Sequence, residues 1–493
     1  MRSYLPYLFF ITSALLYGSP CIFPSLWPIT LFFLIPFFYL LIVRVHEQQY
    51  ALPLVLCFSW GAAASAIHLA GVSYSMVNNG PQSATDTLIR AIPLVFIFLY
   101  SALPATIILW LNGRIINRYA RLHALMPALL TWIMGITLAI YTPINWYMFI
   151  FGRVEGYALL DPLLPLAIHP LLIYPLIVIP QFIGIMLLAT LGAAIALFIV
   201  SCMHRQTRML IGTLCCIGII CSGWMLLAHH INKQIKPTPD AYIKKLQSSI
   251  VHAPGFFTFY TRNITDSVDN MSAYYAKAVK AFPDARIITT HESVSRISVF
   301  PYSQTITRYF DAHHLGRPMH LILGAFRWDE DRNYNSAYWF YDGKLQDVHD
   351  KRHATPIEEH VPWFLNFKIF EKAYFGKLAQ IAPAHGERKF FTIDADIKVV
   401  PYICSEFFFN RNPDEPMDLA QQHLPIIALC NDKWTRLEYL STLMELYARY
   451  KAICWQRIII YSACRRGSIT TPHGTVYQLA RYEPHGDTPG LIE

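Results

Sequence analysis

Three residues of complementary chemistry stand at one kind of place in the second half of this sequence. Glu292 follows the run 285–290, Lys351 follows 345–350, and Cys404 follows 396–403. Each run reads as a β-strand, and reactive side chains in layered folds tend to sit where strands end. A thiol becomes a nucleophile once deprotonated, and a neighbouring carboxylate can take its proton as general base. An ammonium can stabilise the oxyanion formed when the thiol attacks a carbonyl. Each residue also has a plainer reading. A cysteine ending an apolar strand is commonly a small buried hydrophobe, and Glu and Lys are ordinarily solvated surface charges.

The cysteines leave both readings open. The second half holds Cys404, Cys430, Cys454 and Cys464 with no CxxC pair, and its histidines are scattered, so nothing argues for zinc. In an oxidising compartment four thiols can form two disulfides, and a disulfide at Cys404 would rule it out as a nucleophile.

The elements that must position these residues alternate in type. A helix is expected over 268–282 and a strand over 285–290, ending at His291-Glu292. Further strands are expected over 320–324, 334–341, 345–350, 396–403 and 424–429, the last ending at Cys430-Asn431-Asp432. Asp342-Gly343 is a hairpin signal. A helix fits 436–453, then a strand 456–463 and a hairpin around Thr471-Pro472-His473-Gly474. Strands and helices mix throughout, so this half is α/β or α+β with several buried strands.

The first half differs in kind. Of 493 residues, 54% are hydrophobic and 15% charged, which excludes a disordered chain, a collagen and an ordinary all-soluble enzyme. Residues 1–230 hold nine Arg, no Lys and four acids: Glu47, Asp86, Glu155 and Asp161. About seven stretches there approach the roughly 20 apolar residues a membrane-spanning helix needs, near 4–20, 23–43, 51–72, 91–112, 123–142, 177–200 and 209–229. A cleavable leader at the N-terminus is the weaker alternative to the first span, because more spans follow at once. The expected organisation is a multi-span α-helical membrane domain over 1–230, a linker over 231–240, and an extracytoplasmic domain over 241–493. Arg44, Arg114, Arg118, Arg121, Arg205 and Arg208 fall in alternate loops, which places the N-terminus inside and the second half outside. Residues 143–176 carry five prolines and cannot form one regular spanning helix. The net charge of +8 is not clustered, so no nucleic-acid partner is expected.

Around Lys351 the sequence becomes specific. Tyr334-Asn335-Ser336-Ala337 and Asp342-Gly343 precede the run from Asp350-Lys351-Arg352-His353 to Glu359-His360-Val361-Pro362. Pro401-Tyr402-Ile403-Cys404-Ser405-Glu406, Asn431-Asp432-Lys433-Trp434 and Gly467-Ser468 follow in order. Together these segments resemble the carbon–nitrogen hydrolase (nitrilase) superfamily and, within it, the apolipoprotein N-acyltransferases. The resemblance implies a nitrilase-like α-β-β-α sandwich on a membrane domain, with Glu292, Lys351 and Cys404 as a catalytic triad. It also implies supporting roles for Glu359, Glu406 and Asn335. For Glu359 and Glu406 a structural ion-pair role stands beside the catalytic one. No metal or cofactor is implied. The implied acyl donor is a membrane phospholipid, and the acceptor a lipoprotein's N-terminal cysteine or another amine, at the periplasmic side of a bacterial inner membrane. Segment 143–176 and the aromatic runs 256–260 and 363–364 would be candidates for the lipid path, or simply core. Two other readings go with the same family: a membrane-tethered amidase, and a nitrilase-like membrane protein of the kind found with plasmid conjugation systems. The chain departs from the family pattern at His291, where proline is usual, at Ser405, where an aromatic is usual, and at Lys433, where glycine is usual.

Overall fold

A computed structural model describes residues 239–254, 264–294, 318–329, 332–354, 359, 381–385, 388–408, 424–432 and 438–482, with 5–22 and short helical pieces before residue 227. The chain divides into two compact units. One is Met1–Lys236 with Pro362–Gly376 and Thr435–Tyr450; the other is Pro237–Val361 with Lys377–Trp434 and Lys451–Glu493.

In the first unit, helix α1 spans Leu5–Ile22. Trp60 Nε1 donates to Ser13 Oγ at 3.0 Å inside this unit. Large apolar side chains on its helices face outward: Leu8, Leu15, Leu54, Ile219 and Leu226 are all about half exposed or more. Among the described residues, no helix is long and apolar enough to cross a membrane. The expected seven spans fall mostly outside the described residues, and segment 143–176 and the runs 256–260 and 363–364 fall wholly outside them.

The second unit is built on two six-stranded sheets. Its strands are β1 (Ile250–His252), β2 (Ile287–Thr289), β3 (His320–Asp329), β4 (Arg332–Tyr341), β5 (Lys344–Asp350), β6 (Phe391–Thr392), β7 (Lys398–Ile403), β8 (Ile426–Cys430), β9 (Ile459–Ala463), β10 (Gly467–Thr470), β11 (Val476–Gln478) and β12 (Ala480–Arg481). The first sheet runs β12-β1-β2-β3-β4-β5 and the second β11-β10-β9-β8-β7-β6. Its helices are α2 (Asp240–Ser249), α3 (Ile264–Ala281), the single turn α4 (Ser405–Phe408) and the end of α5 (Glu438–Trp455).

Register shows which face each strand turns inward, because side chains alternate with period two. His252, Thr289, Ile322 and Trp339 are successive partners across the first sheet. His252 Nδ1 meets Ser462 Oγ of β9 at 2.9 Å, and the Trp339 ring stacks on Phe391 of β6, so this row faces the second sheet. The neighbouring row holds Ile288, Leu321 and Phe340, which pack in one buried cluster with Tyr274, Tyr275, Ala278 and Val279 of α3. Those four positions form one stripe of a helix, which is why this segment docks as a helix. On the second sheet, Ser462 faces inward, so Tyr461 and its partners Ala428 and Tyr402 face outward. Trp455 at the end of α5 packs on Tyr402 there. The layers are helix, sheet, sheet, helix.

The β4–β5 hairpin turns at Asp342 and Gly343, both at positive φ (49° and 74°), as a two-residue type I′ turn requires. Strand β8 lies between parallel neighbours and is buried throughout, so its sequence, Ile-Ile-Ala-Leu-Cys, is a continuous apolar run.

Candidate active site

Glu292, Lys351 and Cys404 come together past the carboxyl ends of β2, β5 and β7. Lys351 continues the inward-facing alternation of Asp347 and His349, and its backbone is pinned by Lys351 N–H donating to Asn335 C=O at 2.7 Å. Its Nζ lies 2.9 Å from Glu292 Oε1 and 2.8 Å from Glu359 Oε2, with the lysine 1% exposed. The Asn335 amide, from the inner face of β4, donates to Glu292 Oε1 at 2.6 Å and to Glu359 Oε1 at 2.9 Å. The Asn431 N–H, at the end of β8, donates to Glu292 Oε2 at 3.1 Å. The buried Cys404 thiol lies near enough to Glu292, Lys351 and Cys430 for all three to act on its proton.

Backbone conformation sets Cys404 apart. Its φ is 42°, and Ser293, next to Glu292, is at 55°. Non-glycine residues seldom adopt the left-handed region, and such strain concentrates at functional sites. The turn is held from both sides: Cys404 N–H donates to Leu429 C=O at 2.8 Å, and Cys404 C=O accepts from Phe407 N–H at 2.9 Å. Cys404 and Cys430 are reduced thiols, so the disulfide that would have removed Cys404 as a nucleophile is not formed.

Electrostatically the site is one proton-sharing cluster. The hydrogen bond to Cys430, burial and the Glu292 charge push the Cys404 thiol well above its usual value, against the pull of Lys351. Burial also raises the Glu292 carboxyl, although Lys351 draws it down. Burial works against the Lys351 ammonium, but Glu292 and Glu359 outweigh it and hold the amine charged.

Glu406, grouped with the supporting residues from the sequence, is engaged elsewhere. It is fully buried and pairs with Arg388 at 3.2 Å and with His349 Nε2 at 3.3 Å. Burial opposes its charge, but Arg388 and His349 hold its carboxyl far below the usual range. Sequence reasoning missed Asn431 as a donor, Cys430 as the thiol's neighbour, and Arg388 and His349. The strand-end rule that found Glu292 would have flagged Cys430 and Asn431, and period-two parity would have placed His349 beside Lys351. Arg388 lies in a segment with no periodic pattern to reveal it.

Parts of the chain resemble known proteins. Residues 303–486 match the carbon-nitrogen hydrolase family. That stretch of the chain is thus similar to the carbon–nitrogen hydrolase family. Within it, the chain is similar to an apolipoprotein N-acyltransferase of Rhizobium rhizogenes, 33% identical over 124 residues. That match covers 23% of this chain and only 22% of the relative's length. Among solved structures, a branch 10 nitrilase-superfamily member from Saccharomyces cerevisiae covers 46% of this chain and 84% of its own, at 16% identity and TM-score 0.32. A carbon-nitrogen hydrolase from Helicobacter pylori G27 covers 46% and 83%, at 15% identity and TM-score 0.33.

Proposed function

We propose that the chain is a membrane-bound N-acyltransferase that uses Cys404 as nucleophile. The observation that carries this is the buried ion pair of Glu292 with Lys351 at 2.9 Å, set at strand ends beside a buried Cys404 whose backbone is held at a φ of 42°. Glu292 takes the thiol proton as the sulfur attacks the ester carbonyl of a phospholipid. Lys351 stabilises the tetrahedral oxyanion, a donor of a kind worth ~3–4 kcal/mol. The carbon–oxygen bond then breaks, the leaving alkoxide takes the proton from Glu292, and a Cys404 thioester remains. An amine attacks the thioester, gives its proton to Glu292, and the thiolate leaves to be reprotonated. Glu359 has a clear part in this sequence: when Glu292 is protonated, Lys351 keeps a carboxylate partner at 2.8 Å. Asn335 holds both carboxylates at fixed separation.

The acceptor we favour is the N-terminal cysteine amine of a lipoprotein, with the nitrilase-like domain over 241–493 on the periplasmic face of a bacterial inner membrane. Residues 1–230 supply the membrane domain in this reading. Its support is the apolar, lysine-free composition of that half and the outward-facing Leu8, Leu15, Leu54, Ile219 and Leu226. Lipid would cover side chains that water otherwise contacts at a cost.

The test is intact-mass analysis of the full chain after exposure to phospholipid vesicles. An added acyl mass mapped to Cys404, removed by hydroxylamine and lacking in Cys404→Ser, is the expected result. Transfer of that acyl group to an added N-terminal-cysteine lipopeptide identifies a transferase. Release as free fatty acid with the amine present identifies the hydrolytic alternative. No acyl mass with any phospholipid or amide donor overturns the proposal.

A further inference from the structure

Arg388 takes no part in the steps above, yet its side chain is fully buried. Its Nη1 donates to Pro401 C=O of β7 at 2.7 Å and lies 3.2 Å from His349 Nε2 of β5, and its Nη2 reaches Glu406 Oε1 at 3.2 Å. The guanidinium also lies over the Tyr402 ring, 3.9 Å from its centroid. Glu406 in turn accepts two backbone N–H groups: that of Arg352, next to Lys351, and that of Ile403, next to Cys404, each at 2.8 Å. One carboxylate thus ties the strand end bearing the amine to the strand end bearing the thiol, across the gap between sheets.

We propose that Arg388, assisted by His349, is a positioning residue that keeps Glu406 in place as a brace fixing Lys351 relative to Cys404. This rests on the reading of Cys404 as nucleophile. The physical need is plain. A buried carboxylate without a cation sheds its charge by protonation. A protonated Glu406 has lost its charge and made one oxygen a much poorer acceptor, so its hold on the Arg352 or Ile403 N–H weakens. Among the described residues, the ionisable groups facing Glu406 are Arg388, from the segment before β6, and His349, from β5. Burial pushes the His349 imidazole below its usual value against the pull of Glu406, whereas a guanidinium stays charged at any ordinary pH. Arg388 is therefore the brace's standing positive charge. A displacement of about 1 Å at reacting groups can cost about 10²-fold in rate, and the brace acts on that scale.

The experiment compares Arg388→Gln and Arg388→Lys in the full chain with Lys389→Ala, whose exposed side chain pairs with Asp347 next door. Three quantities are read: the pH profile of Cys404 alkylation by iodoacetamide, located by peptide mass; the single-turnover rate of thioester formation from phospholipid; and thermal unfolding. For Arg388→Gln, thioester formation falls about 10²-fold with little change in the donor concentration for half-saturation. Its alkylation profile gains an ionisation in the weakly acidic to neutral range, where Glu406 now titrates. Arg388→Lys restores most of the rate, and Lys389→Ala behaves as the parent. A folded Arg388→Gln with the parent's rates and profile overturns the proposal. So does a loss that is uniform across pH and follows only the unfolded fraction. If Arg388→Gln does not fold, His349→Gln reads the same brace: slowed thioester formation at a retained melting temperature supports it, and parent-like rates overturn it. If the parent forms no thioester, the acyl-transfer reading fails while the alkylation profile still decides for or against the brace.

Discussion

At Cys404 the surrounding charges pull in opposite directions, and separating them distinguishes a catalytic pair from a structural one. Cys430, burial and Glu292 hold the thiol protonated, while Lys351 favours the thiolate. In the proposed reaction the thiol therefore rests neutral, and Glu292 removes its proton as the substrate carbonyl arrives. Glu292→Gln removes both a base and a negative charge. Thioester formation should drop by roughly 10²–10⁴-fold, yet iodoacetamide should alkylate Cys404 faster at neutral pH, because the thiolate no longer faces an anion. Lys351→Met should slow both reactions, the acylation by about 10²–10³-fold through loss of the oxyanion donor. Stopped assays of acylation beside mass-mapped alkylation check the pair. Parallel losses in both reactions for Glu292→Gln would reduce Glu292 to a structural partner of Lys351.

The elements are held in place by close backbone approach as much as by apolar burial. Gly324 of β3 passes directly against the Glu292 segment, where an added Cβ would lie 2.8 Å from the Glu292 Cα. Its N–H donates to Thr290 Oγ1 at 3.0 Å, and its C=O accepts from Val294 N–H at 2.8 Å, so β3 frames the turn that presents Glu292. Gly324→Ala should cost about 1–3 kcal/mol in unfolding free energy, by overpacking, and should lower thioester formation beyond what lost stability explains. Denaturant melts with single-turnover rates on the remaining folded protein check this. Much at this scale was legible beforehand. The strands carrying Glu292 and Cys404 announce themselves as largely apolar runs, while the polar strand before Lys351 is betrayed by Asp342-Gly343, a hairpin signal because few pairs tolerate positive φ twice. Helix α3 starts at Ile264, four residues before the reading of 268–282, because helix ends are the least sharply marked part of a helix in sequence. The short strands β1 and β12 went unread: at three and two residues they show no period of their own and exist because the first sheet has an edge to extend. The functional partners that escaped, Arg388 above all, are joined by contacts far apart in sequence, which no local pattern encodes.

At the scale of the molecule, two facing sheets trap polar groups between apolar layers, and those groups set how the second unit responds to acid. His252 sits fully buried on Ser462, and burial, with Arg481 and His291 nearby, pushes its pKa down to about 3. Burial lowers His320 to about 4. Both stay neutral in the folded chain, while in the unfolded chain they gain protons as pH falls through the ordinary histidine value of 6.5. Stability from the pair is thus complete above that value and declines as pH drops toward about 3 to 4. Glu406 adds a second acid window: its folded carboxyl lies far below 4.5, so its contribution is present above that value and is lost below it. Glu292 runs the opposite way, because its raised carboxyl binds a proton more readily folded than unfolded, favouring the fold as pH falls through its elevated range. The histidines act first on the way down from neutral pH. The full chain should therefore lose unfolding free energy between pH 6.5 and pH 4.5, with a limiting slope of about 1.4 kcal/mol per pH unit for each histidine in play. His252→Gln, which keeps a polar group at the Ser462 contact but cannot titrate, should flatten that slope by about one proton and leave only the Glu406 and His320 parts of the loss below pH 4.5. Chemical unfolding midpoints measured from pH 7.5 to pH 4 provide the check. An unchanged slope in His252→Gln would mean that the group buried between the sheets is not what makes the fold acid-labile.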